Sequence, residues 1–312
     1  MTHLTALDGT PASTLCFGAM QFGGTADETA SRAMFDACRA AGLTFFDTAH
    51  VYTEGRSETL LGAFAAAERA SLIVATKAAY TGGASRANIL NSLDDSRTRL
   101  GMDMVDILYM HRWDGDTPLE ETFETLAELQ AKGVVRYLGV SNYAAWQVMK
   151  AQTVAGTFGT RIDILQPMYS LVKRQAEVEL LPMAIDQDIA VAPYSPLGGG
   201  LLTGKYAKGG DGRLKTDARY AARYDVPWMH WTAEALAGLA AELRTDPATL
   251  AVAWTMARPG VTAPIVSARS AAQLAPSLAA ARFGLNDALC DRITVLSQTP
   301  PPATDRLEEA AR

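Results

Sequence analysis

A carboxylate and a phenol stand close together in FFDTAHVYTEG: Asp47 where an apolar run ends, and Tyr52 on the polar stretch that follows. Other groups that hold or pass protons close later runs, Lys77 in LIVATK and His111 in MVDILYMH. Hydrogen-bonding groups continue the pattern, with Ser141 and Asn142 ending VVRYLGVSN, Gln166 ending RIDILQ and Tyr194 near the end of IAVAPYS. Carboxylate, phenol, ammonium and imidazole are the side chains of acid–base and electrostatic catalysis. Each also has a plainer reading alone. Asp47 suits a turn or helix cap, Tyr52 an ordinary half-buried aromatic, Lys77 a solvated strand end, and His111 a satisfied polar group. The choice depends on whether the chain gathers these run ends at one place.

The elements that must do so alternate. Apolar runs at 14–20, 43–47, 72–77, 104–111, 134–142, 161–166, 189–195 and 261–267 are rich in Val, Ile, Leu, Phe or Tyr and mostly lack strict alternation, as in parallel strands covered on both faces. Between them, apolar residues recur at helical spacing over 27–42, 57–68, 85–101, 118–133, 143–154, 174–187, 247–260 and 270–281. Gly42 suits the position after a helix end, Ser57 an N-cap, and Pro276 shortens or kinks the last of these helices. Eight strands separated by helices predict a closed (β/α)8 barrel. The competing open doubly wound sheet lacks its G-x-G-x-x-G signature, since the first run continues as GAMQFGG. Three additions complete a single domain over 1–312: a hairpin around Asp8-Gly9 that closes the barrel bottom, a long glycine-rich connection at 198–231 with an extra helix at 232–244, and a terminal helix at 283–298. In such a barrel, chemistry collects at the C-terminal strand ends, so the polar residues above share one mouth.

The 312 residues are 48% hydrophobic and 20% charged, which excludes a disordered chain. A net charge of −6 and the absence of a basic cluster exclude nucleic acid and anionic membranes as main partners. No apolar run approaches the roughly 18–20 residues that span a bilayer, and the N-terminus has no signal-peptide pattern. Cys16, Cys38 and Cys290 are scattered, as in a reduced cytoplasmic protein. The four histidines, His3, His50, His111 and His230, show no metal-ligand spacing, so no metal is expected.

In order along nearly the whole chain, FDTAHVYTEGRSETLLG, ATK, DILYMHRWD, GVSNYAAWQV, LQPMYSLVKR, YSPLGGGLLTGKY and IVSARSAAQL resemble the aldo-keto reductase family. VYTEGRSETLLG, SNYAAW and YSLVKRQAEVELLP are most similar to its aflatoxin-aldehyde and succinic-semialdehyde reductase subgroup. The resemblance implies a tetrad of Asp47, Tyr52, Lys77 and His111. Tyr52 would protonate a carbonyl oxygen, Lys77 would lower its pKa, Asp47 would hold Lys77, and His111 would orient the carbonyl. It also implies a nicotinamide cofactor, with Ser141, Asn142 and Gln166 at the carboxamide and Tyr194 stacked on the ring. Gly18, Met20, Ser195, Leu197, Gly199, Gly200 and Lys205 would line the cofactor and its pyrophosphate, and Ser267, Arg269 and Gln273 the far end. Arg269 matches a 2′-phosphate and favours NADPH over NADH. Many family members carry glycine or lysine, then glutamate-asparagine, where this chain has Ser267, Pro276 and Ser277.

His50, Trp113, Arg223 and Trp228 are the expected substrate contacts, Arg223 for a carboxylate and the tryptophans, with Trp231, as pocket walls. The expected partner is a small carbonyl compound, and the resemblance implies a monomer or homodimer. Two other functions compete: a cofactor-binding regulatory subunit like the potassium-channel β subunits, and a metal-dependent barrel hydrolase, for which the ligand spacing is missing.

Overall fold

In a computed structural model, which describes residues 4–304 and 306, each of the eight apolar runs contributes a strand. They are β1 (Cys16–Gly18), β2 (Phe45–Asp47), β3 (Ile73–Ala78), β4 (Val105–Met110), β5 (Val135–Ser141), β6 (Ile164–Gln166), β7 (Ala190–Val191) and β8 (Ile265–Val266). All neighbours pair in parallel, in the order β7-β6-β5-β4-β3-β2-β1-β8. The ring closes just beyond β7, where Tyr194 bridges Ile265 in parallel and the Ile265 amide donates to the Pro193 carbonyl at 2.8 Å. The barrel is therefore continuous.

The helices pack outside it: α1 (Glu28–Ala40), α2 (Arg56–Ala65), α3 (Arg86–Leu100), α4 (Leu119–Ala131), α5 (Ala145–Thr157), α6 (Leu180–Asp186), three between β7 and the next barrel helix, α7 (Arg213–Thr216), α8 (Ala218–Tyr224) and α9 (Pro227–Glu242), then α10 (Pro247–Met256), α11 (Ala271–Ala279) and α12 (Asp287–Thr294). Gly42 takes the expected left-handed conformation after α1, at φ 84°. Ser57 does not cap α2. The helix starts two residues earlier than that cap would set, at Arg56 after Gly55 in the left-handed region, and the Ser57 hydroxyl donates instead to the Ala19 carbonyl at 2.8 Å. The extra helix starts earlier than expected, at Pro227, because proline suits a first helical position. Pro276 lies inside the nine-residue α11, which tightens into a 3-10 turn at Ala280–Arg282.

Two connections differ from expectation. The turn at Asp8-Gly9 reverses the chain through Leu7, Asp8 and Gly9, with only Gly9 left-handed and one antiparallel bridge, Thr5 to Pro11. A three-residue hairpin of this kind places the left-handed residue last. The 198–231 connection is helical in short pieces rather than an open loop.

The barrel has two cores. Phe17, Phe46, Val74, Leu108, Leu138 and Leu165 point outward and pack under the helices. Cys16, Phe45, Ile73, Ala75, Ile107, Tyr109, Ile164, Ala190, Ala192 and Ile265 fill the interior, and Leu4 and Ala6 join them from the N-terminal segment. Because strand side chains alternate, the next inward position beyond Phe45 is Asp47, beyond Ala75 Lys77, and beyond Ile164 Gln166. The same apolar interior that excludes water thus ends in a ring of polar groups.

Candidate active site

Asp47 and Lys77 sit on adjacent strands, almost without exposure to solvent. Lys77 Nζ donates to Asp47 Oδ2 at 2.6 Å and to the Thr48 carbonyl at 2.7 Å. Gln166 Nε2, from the far wall, donates to Asp47 Oδ1 at 2.9 Å. Burial alone would depress the lysine, but Asp47 and Tyr52 outweigh it and hold Lys77 above its ordinary value, as a charged ammonium. Burial pushes the Asp47 carboxyl upward, against the pull of Lys77 and Gln166.

Tyr52 arrives from the β2 loop, with the Lys77 ammonium 4.9 Å from its ring centre. Its phenol lies above the ordinary tyrosine value, because burial outweighs the lowering by Lys77. Lys77 does lower this pKa, but the ammonium offsets desolvation without reversing it. His111 meets Tyr52 edge-on, with ring centres 5.8 Å apart. Burial, then Lys77 and Arg112, lower the imidazole to about 3, so it is neutral at physiological pH. Its Nδ1 is buried without a hydrogen-bond partner among the described residues.

Around the opposite rim the polar side chains bind one another. Ser141 Oγ donates to the Gln166 carbonyl at 2.9 Å. Asn142, left-handed at φ 59°, donates from Nδ2 to the His111 carbonyl at 2.9 Å and accepts from the Tyr194 hydroxyl at 2.7 Å. Gly18 pairs with Asp47 across β1 and β2, and a Cβ there would press on Ile265 Cγ2 at 2.8 Å. Met20 is half-buried in the turn after β1.

Beyond Tyr194 the backbone turns through Ser195, at φ 62°, and Gly198, Gly199 and Gly200, at φ 55°, 65° and 96°. The Leu197 carbonyl accepts from the Gly200 amide within this bend. Lys205 lies against Gly200, close enough that a Cβ there would stand 3.4 Å from its Nζ. Burial, then Arg269 and Arg213, lower the Lys205 pKa. Among the described residues none of these three cations makes an ion pair, and nearby Ser267 Oγ is buried without a partner. Convergent cations beside a glycine bend, with an unpaired hydroxyl, fit a phosphate-bearing group. Gln273 accepts from the Arg269 amide at 2.9 Å, inside the first turn of α11.

The expected substrate contacts divide. Trp113 is half-buried at the rim, packed on Tyr143 and Trp146 at ring-centre distances of 5.2 and 5.7 Å. Arg223 is exposed on α8, near Tyr194 and Lys173: burial and then Arg223 lower the lysine, while burial raises the Tyr194 phenol to about 12 against the pull of Arg223. His50 instead turns to Asp95 on α3, its Nε2 3.2 Å from Oδ2. Trp228, in the first turn of α9, packs into the outer helix-side core, and Trp231 on the same helix is exposed. Among the described residues no cluster could hold a metal ion, and no helix is long and apolar enough to cross a membrane.

Three residues at the site were not anticipated. Tyr80 stacks obliquely on His111 at 4.8 Å. Tyr109 lies fully buried, its ring centre 5.9 Å from Lys77 Nζ and its hydroxyl beside Gln166. Its place two residues before His111 on one strand face was the available signal. Arg99 reaches the Tyr52 loop from α3, and nothing in its local sequence marks it.

Residues 14–298 match the Aldo/keto reductase family. The chain is 33% identical to a probable voltage-gated potassium channel subunit beta of Oryza sativa subsp. japonica, over 95% of this chain and 96% of that protein. It is 34% identical to the uncharacterized oxidoreductase YrpG of Bacillus subtilis (strain 168), over 89% and 90%. Against aflatoxin B1 aldehyde reductase member 4 of Homo sapiens it is 38% identical, over 63% of this chain and 60% of that one.

Proposed function

This chain belongs to the aldo/keto reductase family of oxidoreductases, and from that premise we propose that it reduces aldehydes or ketones to alcohols with NADPH, Tyr52 giving the proton. One arrangement carries the reading: the Lys77 ammonium, 2.6 Å from Asp47, stands 4.9 Å from the Tyr52 ring centre beside an edge-on, neutral His111.

Each residue then has a physical task. Asp47 keeps Lys77 charged and fixed. A raised Tyr52 pKa keeps the phenol protonated until the substrate oxygen becomes basic, and the nearby ammonium stabilises the phenolate left behind. His111, uncharged, donates or accepts a hydrogen bond without repelling Lys77, and orients the substrate oxygen. The dry interior below strengthens these interactions. Ser141, Asn142, Gln166 and Tyr194 would hold the nicotinamide end of the cofactor. Gly18, Met20, Ser195, Leu197, Gly199, Gly200 and Lys205 would line its middle, and Ser267, Arg269 and Gln273 its far end. The cofactor supplies the hydride. We place the protein in the cytoplasm, as a monomer or homodimer acting on a small carbonyl compound.

The test is NADPH oxidation with 4-nitrobenzaldehyde by wild type and Tyr52→Phe, repeated with NADH. The reading expects wild-type turnover that collapses in the variant and favours NADPH; equal turnover by the two proteins refutes Tyr52 as the acid. The near full-length similarity to the rice channel subunit supports a second reading, a cofactor-binding regulatory subunit. NADPH binding without turnover of any carbonyl would favour it.

A further inference from the structure

The loop that carries Tyr52 is conformationally costly. Thr53, Glu54 and Gly55 follow it in the left-handed region, at φ 48°, 59° and 87°. Two of the three carry side chains, and such residues persist in this region only where their surroundings over-determine them.

The surroundings include a residue from outside the barrel. Arg99, on α3, donates from one guanidinium nitrogen to the His50 carbonyl at 3.0 Å and to Glu58 Oε2 at 3.2 Å. Its side chain also lies against Gly55, where a Cβ would meet Arg99 Nε at 2.6 Å. Glu58 is fully buried, and its other oxygen accepts from Thr76 Oγ1 at 2.6 Å. Thr76 immediately precedes Lys77 on β3 and faces the helices, as Lys77 faces the mouth. One end of the Glu58–Arg99 pair is thus fastened to the strand that bears Lys77. The other is fastened to the loop that bears Tyr52. Asp95 supports it from the solvent side, 3.9 Å from Arg99 and 3.2 Å from His50. Burying a carboxylate to pair with a half-exposed guanidinium yields little net stability; what the pair fixes is the geometry of the loop and strand it joins.

We propose that Glu58 and Arg99 are positioning residues that set the Tyr52 phenol against the Lys77 ammonium from behind the barrel wall. The proposal rests on Tyr52 being the proton donor. It does not involve contact with substrate or cofactor.

The experiment uses the full chain with Arg99→Gln, Arg99→Lys and Glu58→Gln. It measures kcat and KM for 4-nitrobenzaldehyde at saturating NADPH, and hydrogen–deuterium exchange across the chain. Because Glu58 is buried and its variant can misfold, Arg99→Gln is the deciding protein. A displaced donor predicts a kcat loss of about ten- to a hundredfold with KM little changed. Faster exchange would be confined to 48–58, with partial rescue by Arg99→Lys or added guanidinium. Unchanged kcat and exchange, or faster exchange throughout the barrel, would overturn the proposal. A wild type that turns over neither 4-nitrobenzaldehyde nor any other carbonyl counts against the proposed function instead; the exchange over 48–58 in Arg99→Gln then decides alone whether the pair holds the loop.

Discussion

Gln166 donates to one oxygen of Asp47 at 2.9 Å while Lys77 holds the other at 2.6 Å, so an amide assigned to cofactor binding also serves the buried carboxylate. Gln166→Leu is therefore expected to lower kcat even at saturating NADPH, because Asp47 loses a bond that favours its ionised form. Steady-state rates at saturating cofactor check this. A change in NADPH affinity alone would show that the bond to Asp47 is idle.

A neutral His111 has two pH consequences. The reduction rate should show no histidine inflection between about pH 5 and 8, and should fall only in the alkaline range, where Tyr52, held above its ordinary value, ionises. Stability moves the other way. A histidine depressed to about 3 contributes stability that is present above its unfolded value near 6.5 and is lost as pH falls toward 3. Over that window a single such group steepens acid unfolding by about 1.4 kcal/mol per pH unit. Urea midpoints of wild type and His111→Asn from pH 7 to pH 4 should converge on acidification.

Tyr109 packs its ring where a side chain on Gly139 would stand. Gly139→Ala is expected to destabilise the barrel by about 1–3 kcal/mol through overpacking. Tyr109→Phe should cost no more than about 1 kcal/mol, since its hydroxyl neighbour Gln166 keeps its bond to Asp47. Denaturant midpoints measure both, and a larger loss in Tyr109→Phe would mean that the contact with Gln166 is a main support of the barrel interior.

Arg269 and Lys205 approach the glycine bend without ion-pair partners among the described residues. Loss of a charge-assisted contact worth about 1.5–3 kcal/mol predicts that Arg269→Ala weakens NADPH binding by about ten- to a hundredfold while leaving NADH almost unaffected. Lys205→Ala should weaken both. Fluorescence titration of the two cofactors separates these cases.

Arg223 stands near Lys173, and each cation raises the value of a carboxylate to the other. Arg223→Ala should raise KM for succinic semialdehyde and leave KM for 4-nitrobenzaldehyde unchanged. Equal KM values for the semialdehyde would remove the carboxylate preference.

The eight strands, their order and the polar ring at their ends were legible in the sequence because strand geometry is local. A period of two projects Asp47, Lys77, His111, Ser141 and Gln166 to the side that Phe45, Ala75, Tyr109, Gly139 and Ile164 already occupy. Helix starts were less legible: Ser57 resembles a cap, but Gly55 and the pull of Ala19 on the serine hydroxyl decide otherwise. The tertiary structure decided what depends on burial and distance through space. It brought Gln166 to Asp47 across 119 residues, turned His50 away to Asp95, and sent Arg99 to the Tyr52 loop. It also set the Tyr52 phenol above its ordinary value, because desolvation exceeds the attraction of a single ammonium. Residue types and spacing name the groups that can react; only the packed barrel determines how much water they lose and which partner each one meets.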